Sequence, residues 1–100
     1  MKIAVLSSNG EYVDLHVGKG ESAYLYNDLE FLEYRNIDID IKSKHQGFKV
    51  LEALNDCDAI IAQDFGFKTK ENADSKGIIL YRVDGSIKNA LNDFLSVFNQ

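Results

Sequence analysis

The segment 2–7 places the strongest constraint on the fold of this chain. It reads Lys-Ile-Ala-Val-Leu-Ser, so it is mostly aliphatic and begins almost at the first residue. A strand with apolar residues on both alternating faces is typical of the middle of a sheet that is covered on both sides. The run 58–62, Asp-Ala-Ile-Ile-Ala, has the same character and indicates a buried parallel strand.

Hydrophobic periodicity predicts elements in the order β-β-β-α-β-α-β-α. The predicted strands cover residues 2–7, 22–26, 31–41, 58–62 and 78–83. The third strand extends this far because isoleucine and aspartate alternate with period two from Ile37 to Ile41. The predicted helices cover about 48–56, 68–74 and a segment that follows Ser86, which is a good helix N-cap. Apolar residues recur at helical spacing in that last helix, at Ile87, Ala90, Leu91, Phe94, Leu95 and Phe98.

This order of elements implies a single α/β domain over residues 1–100. A hairpin followed by two crossover units predicts a mixed sheet of about five strands with one antiparallel member. Right-handed crossovers place helices on both faces of such a sheet, which gives three layers.

Composition excludes several classes of function. The formal net charge is −5, which argues against nucleic-acid binding, because phosphate neutralisation needs a basic face. No apolar run approaches the roughly 18 residues of a membrane span. The N-terminus lacks the features of a signal peptide, so we expect a cytoplasmic protein with no membrane contact. The single cysteine, Cys57, excludes an internal disulfide and a zinc site built on paired cysteines.

The predicted topology gathers several loops at one edge of the sheet. If the first, third, fourth and fifth strands are parallel, their carboxyl ends share an edge with the loops 7–19, 43–47, 63–66 and 84–86. Ligands bind at such edges in open α/β sheets. The amino ends of the helices also point there, which favours an anion.

Both histidines of the chain, His16 and His45, fall in these loops. His16 lies in the run Asp14-x-His16-x-Gly18, where it either faces a ligand or makes a local hydrogen bond in the loop. Cys57 is predicted at the far end of the first helix, roughly 15 Å from His45 at 1.5 Å per residue. We therefore expect Cys57 to be a buried core residue that shares no site with the histidines.

No catalytic constellation stands out from these residues. A phosphate-binding loop would use Ser7 to Gly10, but the following residues 12–17 do not look helical. A ribonuclease-H-like nuclease needs metal-binding carboxylates on the central strand, and the segment 3–7 has none. A nucleophilic hydrolase would need a pattern such as Gly-x-Ser-x-Gly, which is absent from the sequence. We therefore expect a protein that is not an enzyme.

Several stretches of the chain are similar to those of one known family. Met1-Lys2-Ile3-Ala4-Val5, followed by Val13-Asp14-Leu15-His16-Val17-Gly18 and a tyrosine-rich hairpin, resembles the opening of the dinitrogenase iron–molybdenum cofactor-binding family, with valine in place of phenylalanine at Val17. The pair His45-Gln46 before the first helix resembles the histidine of cofactor-carrying members. The run Asp56-Cys57-Asp58 and the last strand-turn-helix are also similar. The loop 63–66, Gln-Asp-Phe-Gly, departs from the glycine-rich loop that is common in the family.

The resemblance implies a ribonuclease-H-like fold without nuclease activity. It also implies a protein that binds or carries an iron–molybdenum cofactor, an iron–sulfur cluster or a precursor, and that meets a cofactor-biosynthesis protein. His45 is then the best candidate metal ligand, and His16 is the second. The other candidate cofactor-binding residues lie in the same loops: Asp14, Gly18, Gln46, Asp64 and Gly66.

Two alternative functions remain open from the sequence. The first is an interaction or structural module without a cofactor, in which Asp64 and Phe65 fill the site and a hairpin with Tyr24, Tyr26 and Tyr34 meets a partner. The second is a small phosphate or nucleotide binder that uses the loop Ser7 to Gly10. The residues leave the identity of the cargo and the oligomeric state undecided.

Overall fold

The computed structural model describes residues 1–40 and 46–98. Within these residues the chain forms seven strands, three α-helices and one 3-10 turn. The strands are β1 (Lys2–Leu6), β2 (Tyr12–Val13), β3 (Ser22–Asn27), β4 (Glu30–Asn36), β5 (Ala59–Ala62), β6 (Ile79–Arg82) and β7 (Gly85–Ser86). The helices are α1 (Gly47–Ala53), α2 (Phe67–Lys76) and α3 (Ile87–Phe98), and the 3-10 turn is Val17–Lys19.

Five of the described strands form the main sheet, in the order β4-β3-β1-β5-β6. Strand β1 pairs antiparallel with β3 and parallel with β5, and β6 is parallel to β5. Strand β4 is antiparallel to β3. Strands β1, β4, β5 and β6 therefore run in one direction and β3 alone runs against them, which confirms the predicted mixed α/β sheet.

Strand β1 divides the core between the two faces of the sheet. Ala4 and Leu6 pack with α1 and α2, whereas Ile3 and Val5 pack with α3, and all four are fully buried. The apolar stripe of α3 is also buried, and Ser86 Oγ accepts a hydrogen bond from Asn89 N at 3.1 Å. This bond confirms the predicted N-cap. Helices on both faces give the predicted three layers, and no helix within residues 1–40 and 46–98 is long and apolar enough to cross a membrane.

The predicted long third strand is wrong in its second half. Strand β4 ends at Asn36, which pairs with Ser22, the first residue of β3, so no partner strand continues beyond that point. Ile37 N donates instead to Glu21 O at 2.8 Å, and the Ile37 side chain is buried. The period-two pattern thus follows burial and not strand pairing, since Ile37 and Ile39 turn inward while Asp38 and Asp40 are exposed. The last residue of the pattern, Ile41, lies outside the described residues.

The segment after β6 also differs from the prediction. Gly85 and Ser86 were predicted as part of a loop, but they pair antiparallel with Val13 and Tyr12 in a two-stranded ribbon. Ile87 N also donates to Glu11 O at 2.8 Å. The ribbon ties the loop after β1 to the start of α3.

Asp56 is the centre of an ion-pair network between α1, β1 and β4. Its carboxylate accepts hydrogen bonds from Arg35 Nη1 at 2.8 Å and from Lys2 Nζ at 2.5 Å. Arg35 Nη1 also donates to Ala53 O, at the end of α1, at 2.9 Å. The hydrogen bonds from Arg35, and then from Lys2, hold the pKa of Asp56 well below its usual range.

The variant Asp56→Asn should be less stable than the wild type at neutral pH by about 1 kcal/mol, because the network is partly exposed and screened by solvent. A depressed carboxyl pKa stabilises the fold above the usual aspartate pKa of 3.8, and this contribution is lost as the pH falls toward the lower native value. Urea unfolding is followed by circular dichroism at several pH values. The difference in unfolding free energy between the wild type and Asp56→Asn should become smaller below about pH 4. Asp74→Asn, which removes only the exposed pair with Lys70, is the control; a pH-independent difference for Asp56→Asn would contradict this account.

Cys57 is the core residue that its helical spacing predicts, since only 5% of it is exposed. Burial raises the pKa of the Cys57 thiol to about 12, and the negative charge of Asp56 adds to the effect. Iodoacetamide reacts with the thiolate, so the folded chain should resist alkylation at about pH 8. Mass spectrometry should show one alkylated cysteine only after unfolding in guanidinium, and rapid labelling of the folded chain would contradict the predicted burial.

Candidate functional site

The loops that follow β1 and β5 lie side by side at the carboxyl edge of the sheet. His16 and Asp64 form an isolated parallel bridge. Val17 N donates to Asp64 O at 3.0 Å, and Gln63 N donates to Leu15 O at 2.9 Å. The structure thus brings together two of the predicted site residues, His16 and Asp64, and leaves the His16 side chain exposed.

Arg82 fixes the loop that contains Asp64. Its Nε lies 2.8 Å from Asp64 Oδ1, and the guanidinium carbon lies 4.6 Å from the centre of the Phe65 ring. Asp64 Oδ1 also accepts from Phe65 N at 2.8 Å, and Arg82 Nη2 donates to Phe65 O at 3.2 Å. We call Asp64, Phe65 and Arg82 the arginine clamp. It offsets the negative charge that Asp64 brings to this edge.

Sequence reasoning missed Arg82 as a site residue. The available signal was its position at the end of a predicted strand that neighbours the strand before Asp64. Arg82 pairs in register with Ala62, two residues before Asp64, so a long side chain at this position can reach the loop. A basic residue at such a strand end is a useful sign of a charge partner for a loop carboxylate.

In the loop after β1, side chains of the loop itself accept hydrogen bonds from its backbone amides. Ser7 Oγ accepts from Gly10 N at 3.0 Å and from Asn9 N at 3.3 Å. Asn9 Oδ1 accepts from Glu11 N at 2.8 Å and from Tyr12 N at 3.0 Å. A phosphate-binding loop needs amides that point at the ligand, whereas these amides already have side-chain acceptors.

Asp14 belongs to the same internally bonded loop. Its Oδ1 accepts from Ser8 N at 2.8 Å, and its Oδ2 accepts from Ser8 Oγ. Asp14 therefore holds the loop that leads to His16. Gly18 and Gly66 each have open space where a Cβ would lie, so neither glycine is required by a close backbone contact.

Gln46 and His45 are the two remaining predicted site residues. Gln46 is buried at the N-cap of α1, and its Oε1 accepts from Asp40 N at 3.4 Å. This contact connects the segment after β4 to the start of α1. His45 precedes Gln46 directly and lies outside the described residues, so its role as first candidate ligand stays a prediction.

The donor set at this edge differs from that of a bare-metal site. In the two described ranges, no three side chains among histidine, cysteine, aspartate and glutamate converge in a way that would hold a metal ion. What the edge offers is an exposed imidazole at His16 and the charge-balanced arginine clamp. Helix α2 also begins directly after Gly66, without a side-chain cap on its first amides. The amino end of α2 therefore contributes a partial positive charge to this edge.

Comparison with known proteins gives one family match. The model of the family described as dinitrogenase iron-molybdenum cofactor matches residues 1–97. A search of curated proteins finds no match.

Several solved structures have the same fold. PH0822 superposes with a TM-score of 0.73 at 15% identity, covering 97% of this chain and 90% of that one. A crystal structure of a candidate dinitrogenase from Methanocaldococcus jannaschii has a TM-score of 0.65 at 19% identity, with 97% and 89% covered. The solution structure of a candidate NifB protein from Thermotoga has a TM-score of 0.69 at 20% identity, with 95% and 87% covered. At these identities the likeness shows the fold alone.

Proposed function

The chain belongs to the dinitrogenase iron-molybdenum cofactor family, and we propose that it carries an iron–molybdenum or iron–sulfur type cofactor, or a precursor, without catalysing a reaction on it. The observation that carries this proposal is the family match over residues 1–97. A carrier of this kind also requires a partner protein that makes or receives the cofactor.

The carboxyl edge of the sheet is the proposed binding site. His16 supplies an exposed imidazole, and its backbone lies against that of Asp64. His45 remains the first candidate ligand, by the family resemblance, with His16 second. Metal–sulfur clusters carry their own inorganic ligands, so one or two protein ligands can hold them. Few protein ligands also allow the release that a carrier requires.

The arginine clamp supports an anionic cargo. Asp64 alone would repel a negatively charged cluster, but Arg82 Nε lies 2.8 Å from its carboxylate and balances that charge. The uncapped amino end of α2, directly after Gly66, adds a partial positive charge at the same edge. Asp14, Gly18 and Gln46 are proposed to shape the surrounding loops.

A cofactor-free interaction module is the second candidate. The observation that favours it is the same clamp, because Phe65 and Arg82 pack together where the family commonly has a glycine-rich loop. A phosphate binder has less support, since the amides of residues 8–12 are already bonded within their own loop.

Loading experiments test the carrier proposal directly. The purified chain is incubated anaerobically with ferrous iron, sulfide and molybdate, or with isolated iron–molybdenum cofactor, and then desalted. We expect bound iron in the wild type, visible in the absorbance spectrum and metal content, and a loss of most of it in His45→Ala. His16→Ala should show a smaller loss, and Lys76→Ala, at the far end of α2, should load as the wild type does. An unloaded wild type would favour the interaction module, and equal loading of all variants would contradict the proposed ligands.

A second variant tests the role of charge at the site. Arg82→Ala leaves the Asp64 carboxylate uncompensated, so cofactor affinity should fall by about tenfold or more, equivalent to roughly 1.4 kcal/mol. The double variant Arg82→Ala/Asp64→Asn removes both charges and should recover most of this loss. Titration followed by absorbance measures both affinities. Failure of the double variant to recover affinity would show that Arg82 acts through packing on Phe65.

A further inference from the structure

Strand β4 forms one edge of the main sheet, and no other strand of the described residues lies on its outer side. All of its residues are exposed except Arg35, which is half-buried. An exposed edge presents backbone N–H and C=O groups that can pair with another chain. The regular part of this edge is short, because a register shift leaves Leu32 without a partner in β3, between Phe31 and Glu33.

The hydrogen bonds to β3 determine which backbone groups of β4 point outward. Ile37 N donates to Glu21 O at 2.8 Å, and residues 33–36 pair with β3 in the same register. In an antiparallel ladder, alternate residues direct both of their backbone groups to the same neighbour. Glu33 and Arg35 therefore face β3, whereas Tyr34 directs its N–H and C=O outward. Tyr34 is thus a residue at which a second strand can make a pair of hydrogen bonds.

The charges on either side of Tyr34 are self-complementary. Glu33 and Arg35 lie on one face of the sheet, where they form an ion pair. In a two-fold antiparallel pair centred on Tyr34, Glu33 of each copy lies opposite Arg35 of the other, so both cross-strand pairs join opposite charges. Centres on Glu33 or Arg35 would place like charges opposite each other, which is destabilising. Centres on Leu32 or Asn36 would give neither charge pair.

The other face of β4 carries apolar surface next to the same centre. Tyr34 and Phe31 both contact the Tyr24 ring, with ring centres 5.1 and 6.4 Å away. About half of Tyr34 (51%) and of Phe31 (52%) is exposed. Pairing about Tyr34 brings the two Tyr34 residues to a Cα separation of about 5.5 Å, so the exposed rings of two copies would bury part of their surface against each other.

We propose that the chain forms a symmetric dimer in which β4 of one copy pairs antiparallel with β4 of another about Tyr34. The main sheet then continues through both copies. The order of charges selects a second copy as the occupant of this edge, because the same sequence supplies both halves of each charge pair. A standard interface has roughly 20–30 residues a side, so this shorter one gives a weak and reversible dimer.

The dimer leaves both proposed cofactor sites accessible. Strands β1 and β4 run in the same direction, and the two copies of β4 run in opposite directions. The carboxyl edges of the two copies therefore lie at opposite ends of the joined sheet. The proposal is independent of the cofactor, and its test uses the chain without one.

Sedimentation tests the dimer over an approximately hundredfold range of protein concentration. The wild type should change from monomer to dimer as the concentration rises. Glu33→Arg places arginine opposite Arg35 of the second copy, so the dissociation constant should rise about tenfold or more. Glu71→Arg makes the same charge change at an exposed position of α2, and it should dimerise as the wild type does. Tyr34→Pro removes the outward N–H without removing a bond to β3, and it should remain a monomer.

Disulfide formation tests the register. Tyr34→Cys should form a covalent dimer under mild oxidation, because a Cα separation of about 5.5 Å fits a disulfide. Leu32→Cys is the matched control, since two residues 32 would lie roughly 14 Å apart in this register. The buried Cys57 is common to both variants and to the wild type, and the wild type should stay uncrosslinked.

Circular dichroism first establishes that each variant is folded, and Glu33→Arg and Tyr34→Pro serve as alternatives to each other. A wild type that stays monomeric at every concentration would overturn the proposal. So would a dimer that neither of these variants weakens, or one that Glu71→Arg weakens equally. Crosslinking through Leu32→Cys in place of Tyr34→Cys would show a different register and would also overturn it.

Discussion

The structure depends on the position of β1 between an antiparallel and a parallel neighbour. Pairing with β3 on one side and β5 on the other places β1 in the centre of the sheet. Its alternating side chains supply both cores, and its last hydrogen bonds continue into Ser7, whose carbonyl accepts from Ser22 Oγ at 2.5 Å. Because β1 and β5 are parallel, the chain leaves both strands at the same edge. This shared direction is what brings His16 beside Asp64.

Features that depend on continuous burial could be predicted from the sequence. The apolar runs 2–7 and 58–62 gave the central strands, and the spacing of Ile87, Ala90, Leu91 and Phe94 gave α3 and its buried face. The predicted strand over residues 37–40 was wrong, because alternation reveals which side chains are buried but not whether a neighbouring strand is present. The β2–β7 ribbon was missed because two-residue strands are too short to show a period.

The sequence predicted which loops meet at the candidate site, but not the side-chain contacts between them. His16 and Asp64 were expected at one edge, and the structure places them in adjacent backbone positions. The arginine clamp was not predictable, because it depends on strand order and on the reach of the Arg82 side chain.

Mapping the cofactor on the folded chain is the most direct test of the central claim, that cargo binds at the carboxyl edge of the sheet. Amide spectra of the nitrogen-15-labelled chain are compared before and after addition of isolated iron–molybdenum cofactor, whose paramagnetism broadens nearby signals. The account predicts broadening of the amides of residues 15–19 and 63–66, with β4 and the carboxyl half of α3 unaffected. Broadening centred on residues away from the carboxyl edge, or unchanged spectra with saturating cofactor, would contradict it.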